Sequence, residues 1–390
     1  MVVGVPKEIK NNENRVSATP ASVFELVRNG HRVYVEKSAG AGSGILDSEY
    51  EKAGARILDT AEEVYDIADV IYKVKEPLKS EYKLLKEGQT LFTYLHLAPD
   101  PEQTKALLDR KITGIAFETV QLADGVLPLL APMSEVAGRM SVQIGANFLQ
   151  SNQGGSGKLL GGVPGVAPGE VVIFGGGTVG FNAAKIAVGM GAHVTILDVN
   201  LERLAQLDTI FGGRVTTLVS NYYESAEAAA KADLLIGAVL IPGAKAPKVV
   251  TEAMVKSMKQ GSVIVDVAID QGGCVATSDH ISTHDNPCFV KYGVLHYSVA
   301  NMPCAVAKTS TYALANATLP YLEKICGLGP ELAMQCDPAL RAGLNTYQGQ
   351  ITYKNVAESY GLPYVPAESA LQAAGVSTTA GADKTAGAGR

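Results

Sequence analysis

One stretch near the middle of the chain constrains its fold more than any other. A run of buried-type residues, Val171-Val172-Ile173-Phe174, leads directly into Gly175-Gly176-Gly177-Thr178-Val179-Gly180. A helical pattern follows from Thr178 to Met190, and a second β-branched run, His193 to Leu197, ends in Asp198. Strand, glycine turn, helix and strand in that order make a βαβ unit, which commits its two strands to a parallel sheet. The glycine spacing is that of a dinucleotide fingerprint. Gly175 allows the tight turn, Gly177 lets a pyrophosphate approach the main chain, and Gly180 lets helix and strand pack closely. The helix N-terminus then turns its N–H groups and the positive end of its dipole toward the phosphates. Asp198, roughly 20 residues beyond the glycines, stands where an acid accepts hydrogen bonds from a ribose 2′-hydroxyl and repels a 2′-phosphate. That choice of residue favours NAD over NADP.

The alternation extends to both sides. Val2 to Val5, Arg32 to Glu36, Val70 to Val74 and Ile115 to Phe117 read as strands, and Pro20 to Asn29 and Ala61 to Ile67 as helices. Ala232 to Leu240 and Ser262 to Ala268 read as further strands, with Thr251 to Met258 a helix between them. Ser134 to Gln150 reads as a long helix, followed by a Gly-rich connector from Gly154 to Gly169, and the chain turns helical again from Lys308 through Leu344. The expected class is α/β: two Rossmann-like β/α domains with a cleft between them, linked by long helices. From Gln372 to Arg390 almost no large apolar residue remains, which predicts a disordered tail.

Composition removes other classes. With 47% hydrophobic and 18% charged residues over 390 positions, the chain can bury substantial cores. Lys and Arg total 33 against 39 Asp and Glu, a net charge of −6, so no basic surplus exists to hold nucleic acid or an anionic membrane surface. The longest apolar run, Leu234 to Ile241, is broken by Pro242 and Gly243, well short of the roughly 18 residues a spanning helix needs. Five cysteines, few and odd in number, fit a reduced, cytoplasmic protein.

The first domain carries polar residues where its strands should end. Lys75 follows Val70-Ile71-Tyr72-Lys73-Val74, with Pro77 closing the strand; period-two alternation puts Lys73 and Lys75 on one face. Leu91-Phe92-Thr93-Tyr94-Leu95-His96 delivers His96 to a strand end, and Arg15 sits in the loop Asn11-Asn12-Glu13-Asn14-Arg15 after the first strand. Singly, each reads as a solvated Lys, a hydrogen-bonded His or a surface Arg. Together, a guanidinium, an ammonium and an imidazole at strand ends of one α/β domain suit a small anionic carbonyl compound. Asp270 stands where Val263 to Ile269 runs into Gly272-Gly273, a position beside the nicotinamide in a Rossmann sheet or simply a turn cap. Gly154-Gly155-Ser156-Gly157-Lys158 lacks the first glycine and the hydroxyl of a phosphate-binding P-loop. Cys274, His280, His284 and Cys288 lack paired Cys-x-x-Cys spacing and read as a loop rather than a metal site.

These segments, taken in order, resemble the alanine dehydrogenases, which share a superfamily with the N-terminal part of nicotinamide nucleotide transhydrogenase. The resemblance rests on 5–16 (VPKEIKNNENRV), 73–77 (KVKEP), 93–97 (TYLHL), 128–139 (PLLAPMSEVAGR), the glycine fingerprint, 266–273 (DVAIDQGG) and 299–303 (VANMP). It implies that Arg15 clamps the substrate carboxylate, Lys75 holds a keto or carboxylate oxygen, His96 is the general acid/base and Asp270 assists the water that attacks an imine. It implies that Tyr94 and Met133 wall a small side-chain pocket, with Asn301 also at the substrate. For the cofactor, NAD, it implies Ser134, Gly175, Gly177, Thr178, Val179, Gly180, Asp198, Arg203, Ser220, Val239, Leu240, Ile269, Asp270, Asn301 and Met302. It further implies a discontinuous substrate domain, 1–128 with 307–371, a nucleotide domain over 129–306, and a homohexamer. The reaction implied is L-alanine, NAD and water giving pyruvate, ammonium and NADH. A transhydrogenase-type NAD(H)-binding subunit, or a non-catalytic NAD-binding scaffold, would not need Arg15, Lys75 and His96 together.

Overall fold

The computed structural model describes residues 1–239, 246–373 and 375. Its strands are β1 (Val2–Val5), β2 (Arg32–Glu36), β3 (Arg56–Leu58), β4 (Val70–Tyr72), β5 (Thr90–Thr93), β6 (Thr113–Ala116), β7 (Glu170–Phe174), β8 (His193–Asp198), β9 (Thr216–Val219), β10 (Leu234–Gly237), β11 (Val263–Asp266), β12 (Cys288–Lys291), β13 (Val294–Tyr297), β14 (Leu344–Tyr347) and β15 (Gln350–Ile351). The chain divides into two compact units, one of Met1–Pro132 with the chain from Cys304 onward, the other of Met133–Pro303. Each unit is built on one sheet.

In the first unit the strand order is β15-β14-β6-β5-β4-β1-β2-β3. Strands β1 to β6 are all parallel, while β14 runs antiparallel to β6 and β15 to β14. In the second unit the order is β12-β13-β11-β10-β7-β8-β9, with only β12 antiparallel. Counted along the chain within each unit, the parallel strands run 3-2-1-4-5-6. This is the doubly wound order, and it places a topological switch point between β1 and β4 in one sheet and between β7 and β10 in the other. Ligands of such sheets bind outside the carboxyl ends of the strands at that point.

Burial explains why these segments are strands. Helices cover both faces of a parallel sheet, so its central strands are continuously apolar rather than alternating. Every residue of β4, β5, β10 and β11 is buried. The first unit packs Ile71, Leu91, Leu107, Ile112 and Val356 together, and the second packs Val172, Phe174, Leu197, Leu235 and Ile264. Helices begin where polar caps allow. Thr19 accepts from the Ser22 N–H before Pro20, Asp100 from Gln103 before Pro101, and Asn200 from Arg203.

Several elements differ from the sequence expectation. The fourth strand stops at Tyr72, not Val74, and the fifth at Thr93, so Lys73, Lys75, Tyr94 and His96 all lie in loops. The alternation argument for Lys73 and Lys75 therefore fails. Lys73 is fully buried between Glu8 (3.5 Å) and Glu81 (2.6 Å), while Lys75 is half-buried. The long central helix is Ala131–Phe148, with Pro132 in its first turn, where a missing N–H costs nothing. The C-terminal stretch is not helical through Leu344. Gly329 (φ +82°) and Pro330 break it into Ala307–Leu328, Pro330–Cys336 and Pro338–Ala342, and Leu344 opens the buried strand β14. A last helix, Ala367–Ala373, takes in Gln372, so that residue does not begin a tail; 376–390 lie outside the described residues.

Candidate active site

The first unit gathers its polar set at the β1/β4 switch point. The loop after β1 carries Arg15, whose side chain is only 2% exposed. A guanidinium is buried at this cost only if it is paired. Its partner is Glu13, itself fully buried: Nε donates to Oε1 (2.7 Å) and a terminal nitrogen to Oε2 (2.5 Å). The Arg15 main-chain N–H also donates to Glu13 Oε1 (3.1 Å), which ties the fork to its own loop.

Lys75 lies in the loop after β4, and its main chain is held on two sides. Its N–H (3.1 Å) and that of Val74 (2.7 Å) donate to Glu8 Oε1, and Thr93 Oγ1 donates to its carbonyl (2.9 Å). The ammonium stands 5.9 Å from the centre of the Tyr94 ring. Burial pushes it below the ordinary lysine range, and the nearby Arg15 charge pushes it further the same way.

His96 follows β5 in a left-handed conformation, φ +47°, uncommon for a residue with a side chain. Glu118, in the turn after β6, accounts for it by accepting the N–H groups of Leu95 (3.2 Å) and His96 (2.7 Å). The imidazole stacks parallel on Tyr94 at 5.8 Å and is 43% exposed, open to a ligand. Tyr94 is buried, donates its hydroxyl to the Leu129 carbonyl (2.7 Å), and has its phenol pushed up by burial. Arg15, Lys75, Tyr94 and His96 are thus brought together. Met133 is buried near the start of helix Ala131–Phe148, and Ser134 beside it is half-buried.

The second unit builds its half around β7. Gly175 has φ +99°, and a Cβ there would lie 2.7 Å from the Ala238 carbonyl oxygen, across the switch point. At Gly180 a Cβ would fall 1.8 Å from the Gly175 oxygen, so helix Thr178–Gly189 can leave the sheet only over a glycine. Gly177, the helix N-cap, faces open space on the side its Cβ would fill, and no side chain caps this helix. Thr178 is exposed and Val179 nearly buried behind it. Asp198 ends β8, its Oδ2 accepting the Gly176 N–H (2.6 Å) and Oδ1 that of Asn200 (2.8 Å). Arg203 donates Nε to the Gly176 carbonyl (2.7 Å), and the Ser220 N–H donates to the Asp198 carbonyl (2.9 Å). Asp198, Arg203 and Ser220 therefore frame the glycine turn as a group. Bare glycine main chain, an uncapped helix start and a carboxylate at the next strand end fit a dinucleotide.

Beyond β10, Val239 packs on the core; Leu240 lies outside the described residues. β11 ends at Asp266, and Val267–Gln271 form a tight turn that buries Ile269 and exposes Asp270. Asp270 accepts the N–H of Asn301 at both oxygens (3.2 and 3.3 Å), and Asn301 is itself left-handed, φ +55°, with Met302 buried after it. The strand expected to run to Ala268 stops earlier because buried Asp266 accepts the N–H groups of Cys274 (3.2 Å) and Val275 (3.0 Å), curling the chain back.

Sequence reasoning missed Glu8, Glu13 and Glu118. Each is an acid that grips the main chain or fork of a neighbour rather than facing outward. Glu8 and Glu13 both lie in the quoted 5–16 segment, Glu13 two residues before Arg15, but nothing local marked either as a partner.

The chain is similar to known proteins over nearly its whole length. Residues 4–137 match the family described as alanine dehydrogenase/PNT, N-terminal domain, and residues 141–354 its C-terminal domain. An alanine dehydrogenase of Methanococcus maripaludis is 67% identical over 95% of this chain and 100% of its own length. One from Bacillus subtilis is 60% identical over 95% of this chain and 98% of its own. A solved L-alanine dehydrogenase superposes with a TM-score of 0.90 at 52% identity, covering 93% of this chain and 99% of that one. With both halves matched and the likeness running nearly end to end, the chain belongs to the alanine dehydrogenase/PNT family.

Proposed function

We propose that this protein catalyses the NAD-dependent oxidative deamination of L-alanine to pyruvate and ammonium, and the reverse reductive amination. The observation that carries the reading is the grouping of Arg15, Lys75 and His96 beyond three strands of one doubly wound sheet, in a chain whose other sheet has the glycine turn and Asp198. The relatives' names support the choice of substrate.

In this reading the first unit takes the amino or keto acid and the second takes the nucleotide. Gly175, Gly177, Thr178, Val179 and Gly180 hold the pyrophosphate, and Asp198 with Arg203 and Ser220 the adenosine ribose. Ser134, Val239, Ile269, Asp270, Asn301 and Met302 hold the nicotinamide half. Leu240 belongs to the same set by resemblance. When bound, NAD supplies the acceptor for the hydride that leaves alanine Cα. Arg15 binds the alanine carboxylate as a charge-assisted pair. Lys75 holds the carboxylate or keto oxygen and stabilises the charge that develops there. His96 takes the proton that makes the alanine amine neutral and releases it to solvent; it then takes one from the water that adds to the imine carbon and returns it to the nitrogen, which leaves as ammonium as the new hydroxyl gives up its proton to form the pyruvate carbonyl. Asp270 assists that second transfer. Tyr94 and Met133 keep the side-chain space small. Asp198 selects NAD by repelling a 2′-phosphate. A homohexamer in the cytoplasm accompanies this reading; among the described residues no helix is long and apolar enough to cross a membrane.

Steady-state kinetics of two variants test the division of roles. Arg15 acts in ground and transition state alike, His96 mainly in the transition state. Arg15→Ala should raise KM for alanine and pyruvate strongly, and His96→Ala should lower kcat by about a hundredfold or more. Near-normal kcat in His96→Ala across pH would reduce His96 to a structural neighbour.

A further inference from the structure

The anion site of the first unit contains more charge than its two cations. Arg15 and Lys75 contribute one positive charge each. Glu13 contributes a negative one from a fully buried carboxylate, spread along the side edge of the Arg15 fork through two short bonds. Lys10 and Glu76 pair with each other beside Lys75 and cancel. The same three groups act on one further side chain: Glu13 pushes the buried Cys304 thiol up while Arg15 and Lys75 push it down, after burial itself. Among these five groups the charges sum to a single positive one.

We infer that Glu13 is a specificity-determining residue: by neutralising one of the two cations it sets the site to accept one carboxylate and to reject a ligand of equal size with two. This rests on the proposed function, in that the Arg15–Lys75 site is taken to be where the substrate carboxylate binds. The physical reason is general. In a site shielded from water a second ligand charge loses its hydration and is tolerated only against a matching cation. With Glu13 ionised that cation is already spent. Glu13 also fixes the plane of the Arg15 guanidinium, since the side-on pair leaves the fork one orientation.

Oxamate and oxalate provide the test. They have the same size and shape, but oxamate carries one negative charge and oxalate two. Calorimetric titration of each into the full-length protein, with and without bound NADH, measures affinity without turnover. The wild type should bind oxamate more tightly. Glu13→Gln keeps an oxygen for the Arg15 N–H and removes the charge; its oxalate-to-oxamate affinity ratio should rise by about tenfold or more, equivalent to about 1.4 kcal/mol. Glu13→Asp restores the charge and should restore the oxamate preference, even if both ligands bind more weakly. Lys75→Met removes one cation and should move the ratio the other way.

An unchanged ratio in Glu13→Gln, with Glu13→Asp behaving like Gln, would overturn the inference and leave Glu13 a purely structural partner of Arg15. Should Glu13→Gln not fold, a ratio that fails to fall in Lys75→Met would overturn it equally. Failure of the proposed function looks different: the wild type would bind neither oxamate nor pyruvate and would not oxidise alanine.

Discussion

Replacing Lys73 with methionine should damage the fold beneath the proposed substrate residues in a measurable, pH-dependent way. Lys73 Nζ sits 2.6 Å from Glu81 and 3.5 Å from Glu8, and the three side chains are 0%, 4% and 3% exposed. Lys73→Met preserves length and apolar bulk but leaves two buried carboxylates without their cation. Breaking a buried pair from one side costs about 3–5 kcal/mol, because the remaining charge is uncompensated. At about 2–4 °C per kcal/mol for a unit of this size, Tm should fall by about 6–20 °C. Glu8 is already raised above its ordinary 4.5 by burial, although Lys73 pulls it down; removing Lys73 raises it further. A carboxyl whose value is raised in the folded state favours folding when protonated. The deficit should therefore be largest above that raised value and shrink as pH falls toward about 4.5. Scanning calorimetry across pH reads both quantities. Glu81→Gln added to Lys73→Met removes one stranded charge and should recover part of the loss. A Tm change under about 2 °C at neutral pH, or a deficit that grows on acidification, would refute the reasoning.

Two further predictions concern ligands. Asp198→Gly should weaken NAD use and narrow the gap to NADP, measured as the ratio of kcat/KM for the two nucleotides; equal use of both by the wild type would contradict the role given to Asp198. Burial and Arg15 hold the Lys75 ammonium below the ordinary lysine range, so pyruvate affinity should fall on the alkaline side earlier than an ordinary lysine allows. Lys75→Arg, which does not titrate there, should move that limb upward, and an unmoved limb would assign it to another group.

The second unit was legible because its signals are local. A glycine turn between a strand and a helix, and an acid at the end of the next strand, are requirements of main-chain geometry, and the structure realises them at Gly175, Gly180 and Asp198. Arg15, Lys75 and His96 could be placed at strand ends for a similar reason: a parallel sheet presents its functional loops at one edge. What local pattern could not supply is long-range pairing. The alternation that paired Lys73 with Lys75 could not show its burial, because one partner, Glu8, is distant in sequence and the other, Glu81, reaches it only after the turn at Pro77. Glu118 reaches back to the His96 turn only because β5 and β6 are neighbours in the sheet. β14 escaped notice because a short run such as Leu344-Asn345-Thr346-Tyr347 becomes a strand only where β6 offers an open edge. Its polar residues then find buried partners, Asn345 at Thr119 (2.6 Å) and Thr346 at the Ile112 carbonyl (3.0 Å).

The central claim is that one chain type both holds the nucleotide and oxidises the amino acid. The most direct measurement mixes the purified protein with L-alanine and NAD, and no second nucleotide, and follows NADH by its absorbance alongside pyruvate and ammonium. The account predicts the three products in equal amounts, with none formed when alanine is omitted. NAD binding without NADH formation, or NADH formation only when a second nucleotide is present, would contradict it.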